Sequence, residues 1–146
     1  MATKTAPELP LATTAAQILA ATDRATEVVD VPEWGVRVTV RALSGSERDK
    51  YQSDFYTFGP TDKGGMRVTR VNNQNQMARL VALSVVDPDG KRLFSEADVL
   101  ALGDKSALAL ERIHDVAMRL SGLQAAVAEA LKEGLKETQN GSHGSA

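Results

Sequence analysis

The sequence contains no cysteine, and that absence removes disulfides, thiolate zinc sites and cysteine nucleophiles at once. Histidine is nearly absent too: His114 and His143 are the two present. A metal site would have to be built from carboxylates almost alone. Aromatic residues are few, with one Trp, two Tyr and three Phe. Long apolar runs are missing. The longest, Leu80 to Val86, is interrupted by Ser84 and falls well short of the roughly 20 residues of a membrane span. The N-terminal stretch has no apolar core of signal-peptide length. Neither charge dominates, with 17 Lys+Arg against 19 Asp+Glu, so no whole-molecule field exists to hold nucleic acid or an anionic membrane. A cytoplasmic protein that uses no membrane and no cofactor is expected.

Local motifs for small-ligand chemistry are equally scarce. Asp87-Pro88-Asp89-Gly90 places its glycine too early for a calcium loop and reads as a turn. Gly64-Gly65 lacks the Lys-Ser/Thr of a phosphate loop. Asn140-Gly141-Ser142 is a glycosylation sequon without an export signal to give it meaning. His114 sits on the flank of a helix, and His143 lies in a polar tail where no rigid site could be held. No catalytic residue and no metal site is assigned, and the chain does not read as an enzyme.

What is present is an α+β pattern in 146 residues, the size of one domain. Residues 1–14 read as a flexible arm, 15–137 as the domain and 138–146 as a disordered tail. Thr13 or Thr14 can cap a short helix over Ala15–Ala21. Val29 and Val31, then Pro32-Glu33-Trp34-Gly35, then Val36, Val38 and Val40 alternate about a turn. This predicts a β-hairpin at about 27–42 with one apolar face. Ser44-Gly45-Ser46-Glu47 is a capping box that opens a helix. Tyr51, Phe55 and Phe58 form an aromatic stripe on it, and Gly59–Met66 reads as a loop. Met66–Val71 is either a short strand or more loop. Asn72 or Asn73 caps a helix whose inward stripe is Met77, Leu80, Val81, Ser84 and Val85. Ser95 caps a short helix that ends at Gly103. The expected architecture is an N-terminal β-hairpin followed by a small, mainly helical bundle with a long C-terminal helix.

That last helix carries the strongest pattern in the chain. Ala109, Ile113, Val116, Leu120, Leu123 and Val127 are spaced four-three-four-three-four, a heptad-type seam. Such a stripe is most often core. Here the apolar fraction is 42 %, somewhat below the usual 45–50 %, and large side chains to cover the seam look few. The expectation is that Ile113, Val116, Leu120, Leu123 and Val127 bind a partner helix or a second copy of the chain. Trp34 on the hairpin is the next candidate contact. A weaker pattern is basic: Lys63, Arg67, Arg70 and Arg79 surround Asp62, near Tyr51, Phe55, Tyr56 and Phe58. Basic loops beside aromatics can grip single strands. The local surplus of three charges is a small footprint, so nucleic-acid binding is not the favoured reading.

The order of the pieces resembles a known family. Val31-Pro32-Glu33-Trp34-Gly35 leads into Val38-Thr39-Val40-Arg41-Ala42-Leu43-Ser44-Gly45-Ser46-Glu47-Arg48. The helix from Ala78 to Asp87, then Asp89–Ser95, and a closing helix through Leu120-Ser121-Gly122-Leu123 follow. Over about residues 27–125 the chain resembles the tail assembly chaperones of long-tailed bacteriophages and prophages. No single motif is diagnostic; the order carries the likeness. The resemblance implies a non-enzymatic protein that coats the long helical tape measure protein and keeps it soluble. It also implies recruitment of major tail tube protein subunits, departure before the virion is complete, and in many cases a longer frameshifted form. It supplies no site residues. The alternatives are a structural tail component kept in the virion and a small nucleic-acid-binding regulator.

Overall fold

A computed structural model describes residues 8–124. The seam position Val127 and the tail at 138–146 lie outside them. The order of elements is α1 (Ala15–Leu19), β1 (Thr26–Val31), β2 (Val36–Arg41), α2 (Gly45–Phe55), β3 (Tyr56–Pro60), β4 (Met66–Val71), α3 (Gln76–Ser84), β5 (Val85–Val86), α4 (Val99–Gly103) and α5 (Ala107–Leu120). The class is α+β.

The hairpin β1–β2 forms where the Val alternation places it. Its register pairs Thr26 with Arg41 and Val31 with Val36. The turn is a single 3-10 turn over Pro32–Trp34, closed by Gly35 at φ +65°, a left-handed position natural to glycine. Glu27, Val29, Val31, Val36, Val38 and Val40 share one face of the pair, and Thr26, Val28, Asp30, Arg37, Thr39 and Arg41 share the other. β5 adds a third strand beside β2, matching Val86 to Thr39 and Val85 to Val40. The placing of Val85 on the inward stripe of α3 is corrected. Its β-branched neighbourhood instead leaves the helix at Ser84 and pairs with the sheet.

Capping explains the helix starts. Ser44 accepts from the Glu47 N–H and Glu47 returns a bond to the Ser44 N–H, as the capping box requires. Thr14 and Gln17 do the same for α1. Ser106 caps α5. For α3 the expected cap at Asn72 or Asn73 is corrected. Asn75 takes that place in a left-handed conformation (φ +55°), with no side-chain cap.

The core sits between α3, α5 and the inner face of the three-stranded sheet. Leu80, Val81 and Val85 meet Val31, Val40, Ile113, Ala109 and Ala117, all of them fully or almost fully buried. Ser84 is also fully buried; its Oγ donates to the Leu80 carbonyl at 2.8 Å, so no hydroxyl is left unpaired. Ion pairs from Arg112 to Glu33 and from Arg119 to Glu27 lash α5 to the turn and to β1. The Leu43 N–H donates to Ser121 Oγ at the far end of α5.

Candidate interaction surface

The seam is part of that core, but the single long helix expected to carry it is corrected: α5 ends at Leu120, Gly122 turns left-handed at φ +70°, and Leu123 lies beyond that break. Ile113 is fully buried and Leu123 nearly so, while Val116 and Leu120 are half-buried and packed against the same cluster. The expectation that too few large side chains exist to cover the seam is therefore corrected: α3 and the valines of the hairpin cover it. Contact through Ile113 or Leu123 would require α5 to lift away from the core. Trp34 is half-buried against the core and keeps part of its ring in solvent.

Exposed apolar side chains gather in two other places: Leu9, Leu11, Ile18 and Leu19 before and within α1, and a second hairpin formed by β3 and β4. The expected helical stripe through Phe58 is corrected: α2 stops at Phe55. Tyr56-Thr57-Phe58 and Met66–Val71 are rich in β-branched and aromatic residues, and they pair as an isolated two-stranded ribbon. Thr61 and Gly65 close its tip, the Thr61 N–H donating to the Gly65 carbonyl at 2.7 Å.

The register of this ribbon has one irregularity, and it decides the chemistry of the two faces. Tyr56 pairs with Val71, Phe58 with Val68 and Pro60 with Met66; between Thr57 and Phe58 the register shifts. Thr69 is the extra residue of a β-bulge. It packs on Gly59 and its hydroxyl donates to the Thr57 carbonyl at 3.1 Å. Without the bulge, strict alternation would send Val71 to the side opposite Val68. With it, Tyr56, Phe58, Pro60, Met66, Val68 and Val71 all share one face. The other face carries Thr57, Gly59, Arg67 and Arg70. The apolar face is open to solvent: Met66 is 69 % exposed, Phe58 54 %, and Val68 and Val71 close to half. The rings step outward from the core. Buried Tyr51 neighbours Phe55, Phe55 meets Tyr56 edge-on at 4.9 Å, and Tyr56 neighbours Phe58.

The basic cluster expected from the sequence is divided. Arg79 is drawn into the body and donates to the Asn72 carbonyl at 2.9 Å. Tyr51 is buried and donates nothing to a surface; burial raises its phenol above the ordinary value, against a hydrogen bond from Gln76. Lys63, Arg67 and Arg70 stay on the ribbon, exposed, and none has a carboxylate within 4.0 Å among the described residues. Arg67 and Arg70 face away from the aromatic rings, so stacking and phosphate pairing cannot use the same side.

A cleft of about 460 Å³ opens between α2, α3 and α4, lined among others by Lys50, Asp54, Arg79, Phe94, Glu96 and Leu100. Lys50 bridges Asp54 and Glu96 across it. The hydrogen bond from Lys50 holds the Glu96 carboxyl below its ordinary value. The bond to Glu96 likewise raises the Lys50 ammonium, so all three charges are committed to one another. Among the described residues no group of three or more His, Asp or Glu is placed to hold a metal ion, and no helix is long and apolar enough to cross a membrane.

The family model of the phage tail assembly chaperones matches residues 14–134. The chain belongs to this family. Among solved structures the chaperone is similar to the tail assembly chaperone of bacteriophage HK97. The TM-score is 0.50 at 21 % sequence identity, with 72 % of this chain and 90 % of the other covered. At that identity the likeness is one of fold. No curated protein matches the chain. Among the described residues the chaperone thus pairs a buried core with an exposed apolar ribbon.

Proposed function

We propose that this chaperone works without catalysis in the cytoplasm of the infected cell. There it binds the tape measure protein, keeps it soluble and helps gather major tail tube protein subunits around it. The observation that carries the reading is the ribbon β3–β4: a family member assigned to tail assembly exposes a continuous apolar face that nothing among the described residues covers. A contiguous exposed apolar face is the mark of an interaction site. Modest affinity per copy is sufficient, because many copies along one rod act by avidity. Trp34, Val116 and Leu120, which keep part of their surface in solvent, are secondary contacts in this reading, and self-association of the chaperone along the rod is compatible with it.

The test is co-expression with the neighbouring tail genes. The tape measure protein should move from the pellet to the soluble fraction and co-purify with the chaperone. A tape measure protein equally soluble without the chaperone would overturn the reading. Finding the chaperone in purified virions would instead favour a structural component.

A further inference from the structure

A two-stranded hairpin is marginally stable alone in water. β3 and β4 pack chiefly against each other and against the end of α2. Their apolar face therefore gains most from being covered in the working complex. We infer that the ribbon is the docking element for an amphipathic helix with acidic borders, laid along Tyr56, Phe58, Met66, Val68 and Val71. This rests on the proposed chaperone function and names the site and the chemistry of its occupant.

Length and charge select that occupant. Strands of five and six residues span about 17–20 Å, the length of a helix of about 12 residues. The ribbon carries Lys63, Arg67 and Arg70 against Asp62, a local excess of two positive charges (3 − 1) on a chain whose net charge is −2. It is one backbone layer thick. Cations on its far face thus lie within about a Debye length, 8–10 Å, of a helix on the near face. Acidic borders on that helix are attracted and basic borders repelled. A second copy is a poorer occupant. Among the described residues α3 and α5 turn their apolar sides into the core, and α1, which exposes Ile18 and Leu19, is five residues long, well short of the ribbon's span. Nucleic acid fits less well, because Arg67 and Arg70 lie on the face opposite the rings.

The probes are two synthetic helical peptides of about 21 residues with leucine at heptad a and d positions, one bordered by Glu and one by Lys. Binding to the full chain is read by fluorescence anisotropy. The Glu-bordered peptide should bind at least about tenfold tighter than the Lys-bordered one at low salt, and the gap should shrink as salt rises. Phe58→Ser with Val68→Ser, checked by circular dichroism, should weaken the Glu-bordered peptide at least about tenfold. Arg67→Glu with Arg70→Glu should reverse the charge preference while the apolar face stays intact. Unchanged binding in the serine variant overturns the inference. So does a serine variant that alters only the sedimenting mass of the chaperone alone, which would assign the ribbon to a second copy. Displacement of the peptide by an oligo-dT strand would assign it to nucleic acid and also overturns it. Wild type that solubilises the tape measure protein, beside a serine variant that does so equally well, refutes the ribbon and leaves the chaperone reading standing. Wild type that binds the Glu-bordered peptide through the ribbon but leaves the tape measure protein insoluble refutes the chaperone reading and leaves the ribbon standing.

Discussion

Gly59 shows how one residue sets a surface. It is buried at the bulge of the β3–β4 ribbon, and a Cβ there would come within 2.6 Å of Thr69 Cγ2. Thr69 cannot move aside without giving up its bond to the Thr57 carbonyl. Gly59→Ala should therefore undo the bulge, sending Val71 to the side of Arg67 and Arg70 to the side of Val68. The expected readout is faster amide exchange within the ribbon, with the amides of α3 and α5 unchanged. Equal exchange in both proteins would show that the bulge survives the methyl group. Ser44 is a second such position. Its capping box orders the start of α2, and Glu47 also pairs with Arg24 at 2.8 Å. Ser44→Ala should cost about 1 kcal/mol in a urea titration. A change within error would mean that the Glu47 side chain and the Arg24 pair hold the turn without it.

Among the elements, α5 is where pattern and packing have to be separated. Heptad spacing specifies an apolar stripe but not what the stripe faces. Ile113 is fully buried against α3 and the sheet, so Ile113→Ala should cost about 2–5 kcal/mol and shift the urea midpoint accordingly. Leu120→Glu with Leu123→Glu places charge in the core and should leave the chain unfolded by circular dichroism. A folded double variant would show that α5 can leave the core, and would restore the seam as a contact surface. The ribbon is the opposite case. Phe58 and Val68 are about half exposed and lie outside the core cluster, so Phe58→Ser with Val68→Ser should lower the midpoint far less than Ile113→Ala.

Across the whole molecule, electrostatics tie parts that are distant in sequence. Glu33 sits below its ordinary carboxyl value, held there first by its own backbone N–H against the opposing effect of burial, and lowered further by Arg112. Glu96 is lowered by Lys50, and Lys50 is raised by Glu96 and Asp54. The lowered carboxyls contribute stability above their unfolded value, and it is lost as pH falls through the lowered one. The raised ammonium contributes below its unfolded value and loses it as pH rises through the raised one. Stability should thus fall on both sides of a plateau spanning neutral pH. These groups are exposed, so the effects are small and screened. Glu33→Gln with Glu96→Gln should flatten the acid-side decline at low salt and make little difference at about 1 M salt. An acid-side decline as steep in the double variant would locate it in other carboxylates.

Elements that depend on neighbours along the chain are legible before any packing is known. The β1–β2 hairpin, the capping boxes at Ser44 and Ser95, the turn at Asp87–Gly90 and the stop at Gly103 all follow from local backbone and side-chain chemistry. The order of those pieces is also what carried the family likeness. Which apolar surface lies inside depends on packing between elements. Spacing makes Ile113 and Leu123 an apolar stripe, but burial depends on whether α3 and the sheet arrive opposite them, a matter of contacts far apart in sequence. Likewise, Phe58 continues a helical spacing from Tyr51 and Phe55. It became a strand residue because Val68, ten positions on, offered a pairing partner. The single-residue shift at Thr69 then fixed the faces, since a period of two turns one extra residue into a reversal of side.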